Sequence, residues 1–374
     1  MTTIAPAPRA DAAPVTGPDT PRVPGPARRA GLALGCLAAA TAVLFLLAVA
    51  LGPVTVPLDD TIRVLTGHRP SDPRWTVVIE TIRLPRVVTA ALVGAALGIA
   101  GMQMQTLFRN GLADPFSLGV SSGASLGVAL VVVSGGASGA VSGAFTADLA
   151  GLGRAGVVLA AAIGAALVLA VILILSRWVR SAVTLLVIGV MLGSATSAIV
   201  SVLLVYTDPQ RAQQFVLWGL GSFSGTTWAD LRVLAPLVGA GLVLALASAK
   251  HLNALLLGEN YARTMGSNVR RTRVLTLVGA SLLAGSTTAF CGPIAFLGLA
   301  VPHLARALVA TADHRVLGPA CVFAGASLAL VCTVLGQPPG TDAALPVNAV
   351  TSLFGAPVVI AVLVRSRRAL QGTT

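Results

Sequence analysis

Arg83 to Gly127 reads RLPRVVTAALVGAALGIAGMQMQTLFRNGLADPFSLGVSSGASLG. Two arginines flank Leu84-Pro85 at the mouth of an apolar run, and Val87 to Phe108 carries no charge. That run is long enough to cross a bilayer, which takes ~20 apolar residues. Arg109-Asn110 and Asp114-Pro115 then mark a tight polar turn before a second apolar run rich in glycine and serine. The reading is two membrane helices joined by a short turn. Gly119, Gly123 and Gly127 recur every four residues, and Gly94, Gly98 and Gly101 form a looser face. Small residues at this spacing let helix backbones approach closely within lipid.

The rest of the chain follows the same pattern. Of 374 residues, 55% are hydrophobic and 10% charged, and mean hydropathy is +0.88. Soluble domains carry roughly 25% charged residues, so an all-α polytopic membrane protein is expected. Residues 1–30, rich in proline, alanine and arginine, lack apolar periodicity and read as a disordered tail. Apolar runs recur at Gly31–Leu51, Val87–Phe108, Ser121–Ser134, Ala155–Leu175, Ala182–Tyr206, Leu231–Ala249, Val274–Phe290, Gly292–Leu304, Val316–Leu335 and up to Val364. The first exceeds the ~7–15 residues of a signal core, which favours a retained helix. The count is about ten crossings by length, over residues 31–368, with 369–374 a short C-terminal tail.

An even count puts both termini on one side. With that side cytoplasmic, most basic residues face the cytoplasm, leaving Arg63, Arg69, Arg74, Arg83, Arg86, Arg154, Arg211 and Arg232 outside. This satisfies the positive-inside rule. It also isolates Arg83 and Arg86 on the disfavoured side. Val87–Leu97 (VVTAALVGAAL) faintly echoes Val274–Leu283 (VLTLVGASLL), the pattern an inverted repeat leaves.

Several functions are excluded or disfavoured. The net charge of +12 sits at helix ends with no basic–aromatic stripe, so nucleic acid is not the partner; the bilayer is. Cys36, Cys291, Cys321 and Cys332 have no CxxC spacing and read as small packing residues. The only lysine, Lys250, lies outside any GxxxxGK[ST] loop, so this chain is not a Walker-type ATPase. The acids avoid span centres, which disfavours an ion-coupled carrier. No nucleophile–base pair or metal cluster points to an enzyme. His68, His251, His303 and His314 are scattered beside helix ends and read as solvated or interfacial.

The motifs together resemble the FecCD-type permeases, the membrane subunits of ATP-driven importers for iron–siderophores, haem and cobalamin. The resemblance rests on Arg83–Arg86 (RLPR), Val93–Leu97 (VGAAL), Leu107–Pro115 (LFRNGLADP), Gly119–Ala124 (GVSSGA), Trp218–Gly225 (WGLGSFSG) and Phe296–Arg306 (FLGLAVPHLAR). It covers roughly Leu58 to Arg368. The chain departs from the family at Gly111, where proline is usual, and at Ala295 and Asn348, where glycine is usual.

The resemblance implies a type II ABC importer permease in the cytoplasmic membrane that carries iron–siderophore complexes, with cobalamin or haem as alternatives. It implies separate ATPase subunits, an extracytoplasmic binding protein and a second permease subunit, identical or paralogous; no cofactor is expected. Leu252–Arg271 (LNALLLGENYARTMGSNVRR) is similar to the family's cytoplasmic coupling loop, here placed at 252–273. Leu255, Leu256, Leu257 and Met265 would fill a groove on the ATPase, Glu259 and Arg263 would pair at its rim, and Gly266 would permit a sharp turn. The residues alone fit equally an amphipathic connector lying on the membrane. Arg83 and Arg86 match family arginines that meet acids of the binding protein, for which a guanidinium fork is suited; interfacial anchoring is the plain alternative. Before the last span, Gln337 stands nearest a second docking arginine and Ala344 where glutamate is usual. Met191, Ser194 and Ser197, with Asn348 and Ser352, would line the pathway between two subunits. Pro302 would bend its helix, and His303 reads as structural.

Overall fold

The structure is a computed structural model that describes residues 26–134, 154–179, 181–338, 340 and 345–371. The expected tail lies outside these residues up to position 25, as do the glycine-rich loop 135–153 and Ala344. All described secondary structure is helical.

Helix α1 is Pro26–Ala50 and the short amphipathic α2 is Leu58–Leu65. Helix α3 runs unbroken over Arg74–Leu107. It starts well before the RLPR motif and the apolar run expected from Val87. A π-helical stretch, Val78–Arg83, explains the continuity. Pro85 has no N–H and its ring clashes with the carbonyl four residues back. Widening the turn before it, so that Leu84 N–H bonds to Ile79 O, lets the helix pass through. A 3₁₀ turn, Pro115–Leu118, leads into α4, Val120–Ser134.

Helices α5 (Arg154–Leu175) and α6 (Ala182–Val205) follow. Next come the short α7 (Pro209–Gly219) and then α8 (Trp228–Ala247). Two further short helices are α9 (Ala249–Leu256) and α10 (Glu259–Thr264). The chain ends with α11 (Val269–Cys291), α12 (Leu297–Val309), α13 (His314–Leu335) and α14 (Val347–Gln371). Helix α14 thus extends into the expected C-terminal tail. Among the described residues seven helices are long and apolar enough to span a membrane, and three shorter apolar helices accompany them.

Helices α3 and α11 are the hub. In their most apolar windows 83% and 78% of residues are buried, against 28% for α6 and α8. The glycine faces set this packing. Gly94 meets Gly325 of α13 so closely that a Cβ on Gly94 would lie 2.1 Å from Gly325 O. A Cβ on Gly101 would lie 1.7 Å from Gly298 O of α12. Gly123 and Gly127 press likewise against Gly164 and Ala160 of α5. Cys291, Cys321 and Cys332 are buried as small packing residues, whereas Cys36 is exposed on α1.

Candidate translocation and coupling sites

The molecule has two ends, each tied by polar contacts. One carries α2, Arg83 and Arg86; the other carries α9 and α10.

At the first end Arg83 is buried rather than presented. Its guanidinium donates to Val49 O at 2.8 Å and Ala50 O at 2.7 Å, and also to Val54 O. These include carbonyls of the last turn of α1, which have no partner within their own helix and sit at its negative pole. Gly52 makes the room: a Cβ there would lie 3.1 Å from the guanidinium. Arg86 is buried too and donates to Gln337 Oε1, while Gln337 Nε2 donates to Ser224 Oγ at 3.2 Å. The expected docking surface of two free arginines is therefore corrected. Arg83 caps α1, and Arg86 joins α3 to the segment before α14. Counting charges along a sequence does not reveal carbonyls waiting at a helix end. Replacing Arg83 with alanine is expected to destabilise the protein by about 3 kcal/mol, since charged hydrogen bonds to buried groups are lost. A thermal melt in detergent checks this. A melt unchanged from wild type, with binding-protein affinity lost, would restore the docking role.

Asn348, expected in the pathway wall, is half-buried and spends its amide on backbone groups. Its amide donates to Pro293 O at 2.7 Å and Gly219 O at 3.2 Å, and its Oδ1 accepts from Ala295 N–H at 2.8 Å. It stitches α14 to the irregular segment between α11 and α12, where Phe296 adopts φ +68°. Two of the three departures from the family pattern, Ala295 and Asn348, meet in one hydrogen bond. Ser352, one turn further along α14, is half-buried.

Met191, Ser194 and Ser197 do fall on one exposed stripe of α6. The opposite face of α6, at Gly189 and Gly193, packs on the Leu118–Gly119 turn. Ser194 donates to Val190 O at 3.0 Å, so the stripe offers weak polarity and no charge.

At the second end α9 and α10 form a short helical pair, with Gly266 at φ +77° in the turn that follows α10. The four apolar residues divide. Leu256, Leu257 and Met265 are 41%, 62% and 61% exposed, but Leu255 is 5% exposed and belongs to the core. Three consecutive leucines on a helix cannot share one face, because each step turns ~100°. Glu259 pairs with Arg263 at 3.6 Å as expected, yet its closer partner is Arg273 at 2.8 Å. Arg273 also donates to Val179 O at 3.2 Å, fastening α10 to α11 and to the α5–α6 connection. The sequence singled out the Glu259–Arg263 pair and gave no sign of Arg273 as the nearer partner. Beside α10 opens a groove of about 870 Å³, lined among others by Arg109, Ser181, Leu257, Glu259 and Tyr261.

The LFRNGLADP turn is held by its own side chains. Asn110 Oδ1 accepts from Leu112 N–H at 2.9 Å, and Asp114 caps the 3₁₀ turn through Phe116 N–H at 2.8 Å. His303 Nε2 lies 2.8 Å from Gly111 O, which gives it the structural role expected. His314 departs from the solvated reading: it is buried between Asn253 and Thr106. Asp313, the cap of α13, is held below the usual carboxylate range by Arg315 N–H and then by the Asn253 amide.

The FecCD transport family model matches residues 40–365. The chain belongs to the FecCD transport family. The hemin transport system permease protein HmuU of Yersinia pestis is 35% identical over 331 residues, 88% of this chain and 96% of that one. The vitamin B12 import system permease protein BtuC of Klebsiella pneumoniae is 38% identical over 292 residues, 77% and 83% of the two chains. Among solved structures, a metal-chelate type ABC transporter in an inward-facing conformation superposes with a TM-score of 0.77 and 27% identity. It covers 89% of this chain and 98% of that one. This FecCD protein is a multi-pass ABC importer permease. It is not an enzyme, and ATP hydrolysis lies in a separate ATPase subunit.

Proposed function

We propose that this FecCD permease carries iron–siderophore complexes inward across the cytoplasmic membrane. A second permease subunit, identical or paralogous, completes the pathway. The observation that carries the reading is the uncharged, exposed stripe Met191–Ser194–Ser197 on α6, whose other face is packed. Paired with its counterpart it makes a wall of aliphatic and hydroxyl groups, suited to a bulky chelate that must bind weakly and leave. Both termini and the α9–α10 projection lie in the cytoplasm, in line with arginine placement. The ATPase subunits dock there on Leu256, Leu257 and Met265. An extracytoplasmic binding protein delivers cargo to the α2 end, where Arg83 and Arg86 shape the surface from within. The siderophore choice follows the WGLGSFSG stretch at Trp218–Gly225.

Haem is the second reading, favoured by 35% identity to a hemin permease over nearly the whole chain. Uptake of radio-iron siderophore, hemin and labelled cobalamin, in cells with and without the gene, separates the cargoes. Loss of siderophore uptake alone is expected. Loss of hemin or cobalamin uptake alone would replace the cargo and leave the architecture intact.

A further inference from the structure

One run of hydrogen bonds crosses from the α9–α10 projection into the helical hub. Asn253 stands on α9. Its Oδ1 accepts from His314 backbone N–H at 2.9 Å and from His314 Nδ1 at 2.6 Å. Its Nδ2 donates to Asp313 Oδ1 at 2.6 Å. With the proton on Nδ1, Nε2 of the neutral ring is an acceptor and faces Thr106 Oγ1 on α3 at 2.8 Å; the one hydroxyl proton of Thr106 is shared between this nitrogen and Met102 O at 2.9 Å. His314 and Thr106 are both buried. The next residue, Gln105, makes a second tie. Its Oε1 accepts from Arg306 of α12 at 2.7 Å, and its Nε2 donates to Leu299 O at 3.2 Å. Two helices, α12 and α13, therefore hold the same turn of α3 by hydrogen bonds, and α9, which also packs against α3, is hydrogen-bonded to that turn through one imidazole.

The mechanical consequence lies in α3. It is one continuous helix of 34 residues, roughly 50 Å long at ~1.5 Å per residue. Thr106 is near one end, and Arg83 and Arg86 are near the other. A displacement of the Thr106 turn moves a rigid rod whose far end clasps α1 and the segment before α14.

We propose that the Asn253–His314–Thr106 run is the link through which movement of α9–α10 reaches α3 and α13, with His314 as its positioning residue. The proposal rests on the reading that the ATPase docks on α9–α10. A buried, mutually satisfied hydrogen-bonded run holds its members in a fixed arrangement, and such networks carry coupling between elements.

The test uses the full permease–ATPase complex in lipid nanodiscs. Val77, exposed at the far end of α3, is replaced by cysteine (V77C) in a Cys36→Ser background and given an environment-sensitive fluorophore. ATP is the probe, and hydrolysis is measured alongside the emission change. Thr106→Val removes the hydroxyl at nearly constant volume, His314→Phe removes the ring nitrogens, and Thr106→Ser keeps the hydroxyl. Both T106V and H314F are expected to hydrolyse ATP within about two-fold of the parent, while the ATP-driven emission change falls about five-fold or more, given coupling terms of this class. T106S is expected to restore it. Equal emission changes in T106V and T106S overturn the proposal, as does an absent change in the parent. Loss of the assembled complex in T106V also overturns it, by making the run a folding contact. A parent chain that recruits no ATPase overturns instead the docking reading.

Discussion

Replacing Gly101 with valine is expected to leave no folded permease in the membrane. A Cβ at this position would sit 1.7 Å from Gly298 O, whereas real Cβ contacts do not fall under 3.0 Å. The obstacle is backbone, so no side-chain rotation relieves it, and α3 and α12 must separate. Within lipid there is little hydrophobic drive to hold them, because lipid tails are as apolar as the side chains; close packing itself is the attraction. Overpacking typically costs about 1–3 kcal/mol, more against fixed backbone, and the loss of the α3–α12 contact adds to it. Total stability is only about 5–15 kcal/mol. Gly94→Val should behave the same way, since Gly325 O lies 2.1 Å from the added carbon. Gly239→Ala on α8 is the control, having nothing within 4 Å of the added carbon. Size-exclusion profiles in detergent distinguish them: G239A as a single peak, G101V as aggregate. A monodisperse G101V protein would mean the hub is packed otherwise.

The second large effect is expected at the projection. Leu257→Asp combined with Met265→Asp should abolish recruitment of the ATPase while leaving the permease folded. Both side chains are mostly exposed, so the fold does not depend on them. An interface core excludes charge, and a central contact is worth about 2 kcal/mol or more, or ~30-fold in affinity. Two buried carboxylates exceed that. Leu255→Ala makes the contrast. Leu255 is in the core, so its truncation should lower thermal stability by about 2–5 kcal/mol and leave docking by the surviving folded fraction unchanged. Co-purification of tagged ATPase with each variant reads the difference. Normal recruitment by the double aspartate variant would place the docking surface elsewhere.

Hydropathy alone made much of this architecture legible. An uncharged run from Val87 to Phe108 has few fates besides a membrane helix, and fourfold glycine spacing announced where backbones touch. The Gly94–Gly325 and Gly123–Gly164 contacts meet that expectation. What stayed hidden depends on direction and on partners far along the chain. The π-turn before Pro85 leaves no residue signature beyond the proline itself. Arg83 looked like surface charge because its receptors are carbonyls at the end of α1, over thirty residues earlier. Asn348 looked like a pathway group because its partners, Gly219, Pro293 and Ala295, are backbone atoms of other segments. Leu255 was legible in principle, since helical geometry alone separates it from Leu257. His314 carried a usable hint, for Asp313 before it is a strong helix-start signal, and a residue just inside a cap is well placed for burial.

As a FecCD-family ABC importer permease, with the proposed ATPase docking at α9–α10, this chain should import its cargo with energy from ATP. The most direct measurement is cargo uptake by cells expressing the chain with its ATPase subunits. Uptake is followed once after ATP depletion and once after a protonophore has collapsed the proton gradient. Uptake should stop when ATP is removed and persist when only the gradient is lost. Uptake that survives ATP depletion and stops with the protonophore would contradict the account and make the chain an ion-coupled carrier.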